Sequence, residues 1–145
     1  FSSKFSVFIY VILALIIGGL ASSNTANDVW YQTLIKSPLN PPGYVFGIVW
    51  PILYLLMSIS AFRTFNETKN LFLIQLLFNA LWSWLFFAFQ MPLVALFNIW
   101  LLIYLNIKIN LKMFYVDKLS GLLFIPYVLW LFFASYLNLF IVLNN

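Results

Sequence analysis

The chain has 145 residues, of which 65% are hydrophobic and 7% are charged, and its formal net charge is +4. Soluble domains average about 45–50% apolar and about 25% charged residues, so a water-soluble globule of this size could not hide so much apolar surface, and we expect a single membrane domain over residues 1–145. Cysteine and histidine are both absent, which excludes disulfides, thiolate nucleophiles, the usual zinc sites, His-ligated haem and a Ser-His-Asp triad.

Five stretches are long and apolar enough for transmembrane helices, which need about 20 mostly apolar residues. The first, Phe5–Ser23, begins like a signal peptide, but no clean cleavage site follows it, and we interpret it as a retained helix. The other four are Val45–Phe65, Leu71–Phe89, Pro92–Lys112 and Leu119–Leu143. The sequence therefore predicts an all-α membrane protein, a bundle of five transmembrane helices.

The connections between these stretches differ in length. The links Asn66–Asn70 and Gln90–Met91 are short and force antiparallel neighbours. The first link, Asn24–Tyr44, is long, and prolines in Ser37–Gly43 block a continuous helix there. Long loops in compact domains are often functional, so we expect this loop between helices 1 and 2 to cap a pocket. The alternative is an aromatic interface anchor on a floppy link.

The basic residues predict an orientation. In a five-span bundle only Lys36 falls on the side of the long loop and the C-terminus. The other basic residues share the side of the N-terminus: Lys4, Arg63, Lys69, Lys108, Lys112 and Lys118. Cytoplasmic loops carry an excess of Lys and Arg, so the N-terminus should be cytoplasmic in a bacterial inner membrane; a mitochondrial outer membrane is the alternative. The basic residues are scattered singly near helix ends, a distribution that does not suggest nucleic-acid binding.

Ionisable groups are nearly absent from the predicted spans. Asp28, Glu67 and Asp117 all fall in predicted loops. Proton-coupled carriers usually place such groups inside the membrane, and acid–base catalysis needs paired groups. This distribution argues against most transporter and enzyme classes, and we predict no catalytic and no metal-binding residue.

Aromatic residues, which make up 21% of the chain, carry the remaining signal. They form one stripe on each of three predicted helices: Phe46, Trp50 and Tyr54 on the second, Asn79, Trp82 and Phe86 on the third, and Tyr127, Trp130, Ala134 and Asn138 on the fifth. An amide side chain inside lipid must face protein or a cavity, so Asn79 and Asn138 should turn their two stripes inward, together with Trp82 and Trp130. Packing within the bundle is the commoner explanation of such stripes. The alternative is that they line an apolar cavity with a few Trp and Asn hydrogen-bond donors, which would suit a flat hydrophobic ligand.

Small residues form a face on the first helix. Ala14, Gly18 and Ser22 repeat every four residues. This small-residue pattern indicates either a homodimer interface or a seam within the bundle.

Several segments of the chain together resemble one family. They are Trp30–Tyr31, Pro41–Trp50 and Leu53–Met57 before and in the second helix, Phe78–Ser83 with Phe86–Phe87 in the third, and Pro126–Trp130 with Phe133–Asn138 in the fifth. In this order they resemble the translocator protein family, also called tryptophan-rich sensory proteins, peripheral-type benzodiazepine receptors or the TspO/MBR family. The resemblance covers nearly the whole chain.

The resemblance implies a five-helix bundle, commonly dimeric, with a pocket under the first loop. Family members bind porphyrins such as protoporphyrin IX and synthetic isoquinoline carboxamide and benzodiazepine drugs, and some bacterial members promote light-dependent porphyrin breakdown. By position, Trp50 and Trp130 match the tryptophan pair of that pocket. Other pocket positions are matched by Tyr31, Phe46, Asn79, Trp82, Phe86, Ala134 and Asn138, and we add Tyr54 from its stripe.

These observations predict an integral membrane receptor or binding protein for tetrapyrroles and such drugs, with a transport or sensory role left open. No cofactor is required, and without His or Cys a metal-free porphyrin is the expected ligand. Membrane lipid and a second copy of the chain are the other expected partners. Animal members also bind cholesterol, but no basic residue follows Lys118, so Tyr136 lacks the basic partner of the sterol motif. The alternatives are light-dependent porphyrin degradation and a structural or regulatory membrane partner.

Overall fold

The computed structural model describes residues 3–22, 29–41 and 43–145 of the chain. All regular structure within these residues is helical. The α-helices are α1 (Ser6–Ser22), α2 (Val29–Thr33), α3 (Gly43–Arg63), α4 (Phe65–Ser83), α5 (Pro92–Val116) and α6 (Lys118–Asn144), and α4 continues as a π-helical turn over Trp84–Ala88. The predictions that concern Ser23, Asp28 and Pro42 lie outside the described residues.

Four helical stretches are long and apolar enough to cross a membrane: Val45–Arg63, Phe65–Ala88, Pro92–Val116 and Lys118–Asn144. This confirms the expected all-helical membrane bundle. Helix α1 is also apolar, but its 17 residues place it at the short end of the roughly 17–25 residues that span a bilayer. Five spans therefore stay a prediction.

The predicted loop Asn66–Asn70 is wrong, because these residues are helical. Helix α3 ends at Arg63 and α4 begins at Phe65, so the chain turns at Thr64. The Thr64 hydroxyl donates to the Ser60 carbonyl at 2.9 Å, which satisfies it inside the turn. Glu67 lies in the first turn of α4 and not in a loop, where a negative charge suits the positive end of the helix dipole. The exposed polar side chains of this turn resemble a loop in sequence, although their backbone is helical.

The other turns lie close to their predicted places. Helix α5 runs to Val116, beyond the predicted end at Lys112, and Asp117 alone separates it from α6. Gln90 has a positive φ of 56°, a left-handed conformation that ends α4 and its π turn. Pro92 then opens α5, where its missing N–H costs no hydrogen bond.

The two ends of the bundle carry different groups. At one end, Arg63 Nε lies 2.7 Å from Asp117 Oδ2, which joins the α3–α4 turn to the α5–α6 turn. Lys4 Nζ lies 5.0 Å from the Phe62 ring centroid at this same end. At the opposite end, the Asn145 side chain exchanges two hydrogen bonds with the backbone of Ile35, at 2.9 and 3.0 Å. The N-terminus thus shares an end with the α3–α4 and α5–α6 turns, as the antiparallel arrangement requires.

The interior is closely packed toward the charged end. Phe72, Ile109, Met113 and Phe124 are almost fully buried there. Large apolar side chains cover the outside, among them Leu77, which is 68% exposed. Such a surface suits lipid as the solvent.

Two of the three small residues on α1, Ala14 and Gly18, pack within the bundle. Ala14 is buried, and a Cβ added at Gly18 would lie 3.5 Å from the Ser83 hydroxyl oxygen of α4. Of the two expectations for this face, the structure favours a seam between α1 and α4.

Candidate functional site

A cavity of about 790 Å³ lies between α1, α3, α4 and α6 in the half of the bundle opposite the charged turns. Every residue that the sequence analysis singled out for ligand binding contributes to its wall. These are Tyr31, Phe46, Trp50, Tyr54, Asn79, Trp82, Phe86, Trp130, Ala134 and Asn138. The structure therefore brings the predicted residues together around one space, and their role in binding is a separate question.

One wall of the cavity is a run of aromatic rings from α3 and α6. The Trp50 and Trp130 ring centroids lie 6.1 Å apart at an interplanar angle of 85°. Phe46 contacts Trp130 at 5.8 Å, and Trp50 contacts Tyr54 at 5.6 Å. Spacing by four places these α3 residues on one face of the helix. The edge-to-face contacts fix the rings, so this wall is rigid and apolar.

The facing wall comes from the end of α4. Trp82 and Phe86 stack with ring centroids 5.5 Å apart and planes 27° apart. Both Phe86 and Phe87 line the cavity, and they lie in the π-helical turn Trp84–Ala88. The sequence analysis expected a regular helix to Phe89 and missed this turn. Single π turns are frequent at functional sites, but no residue pattern in this segment announces one.

A hydrogen-bonded chain of polar side chains forms the floor. The Tyr54 hydroxyl donates to Asn79 Oδ1, and Asn79 Nδ2 donates to the Tyr127 hydroxyl at 2.7 Å. Tyr127 in turn donates to Gln75 Oε1 at 2.7 Å. Tyr127, which the α6 stripe included, is completely buried beneath the cavity. Gln75 was missed, although it lies four residues before Asn79 and so on the same helical face.

Asn138 ties three helices together at the cavity wall. Its Oδ1 accepts the indole N–H of Trp82 at 3.0 Å, and its Nδ2 donates to the Pro92 carbonyl at 2.9 Å. It is 1% exposed, as expected for an amide inside an apolar bundle. The indole N–H of Trp82 and the side-chain amide of Asn138 therefore already have partners within the protein.

The indole nitrogen of Trp130 differs from that of Trp82. It is buried, and it has no hydrogen-bond partner within the part of the chain that the structure describes. Leaving a buried donor unpaired costs about 1–3 kcal/mol. Trp130 lines the cavity, but its indole nitrogen is buried, so a ligand or water could accept this hydrogen bond and recover that cost only after the ring shifts towards the cavity.

The link between α1 and α3 adds three polar residues and one proline that the sequence analysis did not assign to the site: Gln32, Lys36, Asn40 and Pro41. The Ser37 hydroxyl lies 2.7 Å from the Tyr136 hydroxyl of α6 and ties the link to the bundle. Burial raises the pKa of Tyr31, and a hydrogen bond with the Asn40 side chain opposes that rise. Burial also lowers the pKa of the Lys36 ammonium. In the sequence, Lys36 is separated from the other basic residues, which draws attention to it. This separation does not show that its side chain borders a cavity.

The cavity is lined mostly by apolar residues, many of them aromatic. Its described lining contains aromatic rings, a few amides and hydroxyls, and a single charged side chain, Lys36. Among the described residues no three acidic side chains come close enough to hold a metal ion. The arrangement suits a flat apolar molecule that accepts a small number of hydrogen bonds.

Sequence comparison now identifies the family, since the profile of the TspO/MBR family matches residues 6–143. The chain belongs to the TspO/MBR family. With four apolar helices of spanning length, this membership makes it an integral multi-pass membrane protein.

Relatives in this family come from distant organisms. The chain is 37% identical over 144 residues to Tryptophan-rich protein TspO from Chlorobaculum tepidum, covering 92% of this chain and 91% of that protein. It is also 37% identical over 146 residues to Tryptophan-rich protein TspO from Archaeoglobus fulgidus, covering 93% and 94%. The human Translocator protein is 29% identical over 119 residues, covering 75% of this chain and 70% of that protein.

Proposed function

We propose that this TspO/MBR protein is a membrane receptor for flat, apolar tetrapyrroles of the protoporphyrin type, and that the same cavity accepts isoquinoline carboxamide and benzodiazepine drugs. The observation that carries the proposal is the cavity wall formed by Trp50 and Trp130. Its volume of about 790 Å³ lies within the roughly 300–1,000 Å³ of small-molecule sites.

The lining residues take different parts in this proposal. The rings of Trp50, Phe46 and Trp82 supply apolar contact area for a macrocycle. The unpaired indole N–H of Trp130 is buried, and in this proposal the ring shifts when the ligand binds and donates a hydrogen bond to it. Both the oxygen and the nitrogen of the Asn79 amide already bond within the protein, so its part is to hold Tyr54 in the cavity floor.

The membrane arrangement belongs to the same proposal. We place α1 as a fifth span, with the link to α3 over the cavity mouth and the N-terminus in the cytoplasm. A bacterial inner membrane, or a mitochondrial outer membrane, is the proposed location. A homodimer is also proposed. Gly18 faces Ser83 within the chain, so the interface of this homodimer would use one of the apolar faces that point outward from the bundle.

The test is a titration of purified protein with protoporphyrin IX, followed by the porphyrin absorbance so that the number of tryptophans does not affect the signal. The Trp130→Phe variant should bind at least about fivefold more weakly, the worth of a hydrogen bond of about 1 kcal/mol. Trp50→Phe should weaken binding through lost contact area. Trp100, which is 45% exposed and outside the cavity, provides the control Trp100→Phe. Unchanged affinity in both cavity variants would refute the proposal.

Light-dependent porphyrin degradation is the second candidate function. It is favoured by the contacts of Trp50 with both Trp130, at 6.1 Å, and Tyr54, at 5.6 Å, because adjacent oxidisable rings can accept an electron vacancy from an excited ligand. Illumination of the protein with protoporphyrin IX under air should then bleach the porphyrin faster than illumination of the Trp50→Phe, Trp130→Phe double variant at equal bound porphyrin. Equal rates would exclude this function.

A further inference from the structure

A polar recess of about 650 Å³ opens at the charged end of the bundle, away from the aromatic cavity. It lies where α3 ends and α4 begins, beside the turn between α5 and α6. Four charged side chains line it: Lys4, Arg63, Glu67 and Asp117. Two positive and two negative charges cancel, so the recess is formally neutral although the whole chain carries +4.

Two of these four charges are paired with each other. Arg63 Nε lies 2.7 Å from Asp117 Oδ2, and the Ser120 hydroxyl donates to the same oxygen at 2.7 Å. Lys4 and Glu67 are exposed, and within the described part of the chain neither has an ion-pair partner. The recess therefore presents one unpaired cation and one unpaired anion, which are not close enough to pair with each other.

Both unpaired charges are carried by packed parts of the chain. The Lys4 ammonium lies 5.0 Å from the Phe62 ring centroid and 5.9 Å from that of Phe5, and these two rings pack with centroids 5.1 Å apart. The cation is thus held over aromatic faces that join the start of α1 to the end of α3. Glu67 lies in the first turn of α4, so its position is set by a helix.

The recess lies at the level of the lipid headgroups. The apolar spans Val45–Arg63 and Phe65–Ala88 meet at this end, which places it where the hydrocarbon core gives way to the polar interface. Next to the charges, Phe62 borders the recess, and Phe5 is 64% exposed. Charged groups above exposed apolar rings suit a molecule with a polar head and hydrocarbon chains.

We propose that this recess binds the headgroup of phosphatidylethanolamine, with the lipid phosphate at Lys4 and the lipid ammonium at Glu67. This headgroup joins one charge of each sign by a short link, so it supplies a charge-assisted hydrogen bond to both unpaired side chains. A purely anionic headgroup would leave Glu67 unpaired. The quaternary ammonium of phosphatidylcholine has the charge but no N–H to donate. The inference is independent of the porphyrin cavity at the other end.

The experiment is native mass spectrometry of the whole protein released from non-ionic detergent, which measures the fraction that carries one lipid. Phosphatidylethanolamine, phosphatidylcholine and phosphatidylglycerol with identical acyl chains are added separately at equal concentration. Wild type should bind phosphatidylethanolamine roughly threefold more tightly than either of the others, as expected of an exposed ion pair. Equal binding of all three lipids, or tightest binding of phosphatidylglycerol, would overturn the inference.

Two variants separate the two ends of the headgroup. Glu67→Gln keeps the side-chain shape and should weaken phosphatidylethanolamine while phosphatidylglycerol binds as before, which removes the preference. Lys4→Gln should weaken all three lipids, because they share the phosphate. Equal weakening of every lipid by Glu67→Gln, or unchanged binding in either variant, would contradict the assignment.

A matched control is available at Lys69, whose ammonium lies 5.7 Å from the Phe65 ring centroid at the same end of the bundle. Lys69→Gln removes the same charge outside the recess and should leave all three affinities unchanged. If it weakens binding as much as Lys4→Gln does, the effect is one of overall charge and the inference is overturned. Equimolar O-phosphoethanolamine, which lacks acyl chains, should not displace the lipid. Displacement would assign the recess to a soluble molecule instead of a lipid.

Discussion

Some polar side chains inside the bundle are held by hydrogen bonds to other helices. Tyr127 is the centre of one such set, because its hydroxyl accepts from Asn79 and donates to Gln75. In an apolar interior an unpaired polar group costs more than a hydrogen bond gains. These residues therefore fix the cavity floor as well as stabilising the fold.

Removing the Tyr127 hydroxyl should reveal this cost. Tyr127→Phe leaves the Asn79 amide nitrogen and the Gln75 carbonyl oxygen without a partner. We expect a loss of about 1–3 kcal/mol in the free energy of unfolding, measured by thermal unfolding in detergent. Tyr115→Phe is the control, because Tyr115 is 93% exposed. Equal melting temperatures for the two variants would contradict the assigned network.

Individual site residues were predictable where helical spacing places them on one face of a helix and where the cost of exposing an amide to lipid shows that this face points inward. Trp82 and Trp130 follow from stripes that the amides Asn79 and Asn138 turn inward, whereas Trp50 was assigned from the family resemblance. Lys36 was taken only as a charge that sets orientation, since nothing in a sequence shows which loop residue borders a cavity. The hydrogen bonds that occupy Asn79 also depend on distances between helices that the sequence does not contain.

The helices themselves meet most closely where α5 and α6 run side by side. A Cβ added at Gly121 would lie 2.5 Å from the Phe114 ring. The Asn110 side chain also donates to the Gly121 carbonyl at 2.9 Å. Glycine is therefore required here for close approach, as in other tightly packed membrane helices.

A methyl group at this contact should separate the two helices. Gly121→Ala forces the Phe114 ring to move, and overpacking of this kind costs about 1–3 kcal/mol. The free energy of unfolding should fall accordingly. Gly47→Ala, where an added Cβ meets nothing within 4 Å, should instead gain about 0.5–1 kcal/mol from helix propensity. A destabilisation by Gly47→Ala equal to that of Gly121→Ala would contradict the packing argument.

Helix positions were more predictable than helix ends. Long apolar stretches are enough to predict membrane-spanning helices, because in lipid a single segment satisfies its backbone hydrogen bonds only as a helix. The Thr64 turn was missed because Asn66 and Glu67 are polar, and polarity alone does not distinguish an exposed helical turn from a loop. Phe86 and Phe87 of the π turn pack against Tyr31, a tertiary contact that the sequence of the segment does not show.

The molecule as a whole is an antiparallel bundle with a packed charged half and a hollow aromatic half. Lys4, Arg63 and Asp117 lie together at one end, and the Ile35–Asn145 contact lies at the other. This arrangement sets the N- and C-termini at opposite ends of the bundle. With α1 as a span, the two termini lie on opposite sides of the membrane.

The fifth span can be tested with single cysteines, since the chain has none of its own. Ser3→Cys and Asn144→Cys introduce thiols near the two termini. With five spans, an impermeant maleimide added to intact cells should label Asn144→Cys alone, and inverted vesicles should give the reverse pattern. Labelling of both positions from the same side would mean that α1 does not cross.

The most direct measurement of the cavity's role is protoporphyrin IX affinity in a variant that fills it. Ala134 is 5% exposed and lines the cavity, so Ala134→Leu places extra volume where the macrocycle would lie. The control is Leu129→Ala on the same helix, because Leu129 is 62% exposed on its outward face. Thermal unfolding of both variants establishes that they fold. We predict that Ala134→Leu weakens binding at least roughly tenfold, which corresponds to about 1.4 kcal/mol, and that Leu129→Ala binds as the wild type does. Wild-type affinity in a folded Ala134→Leu protein would show that the porphyrin binds elsewhere.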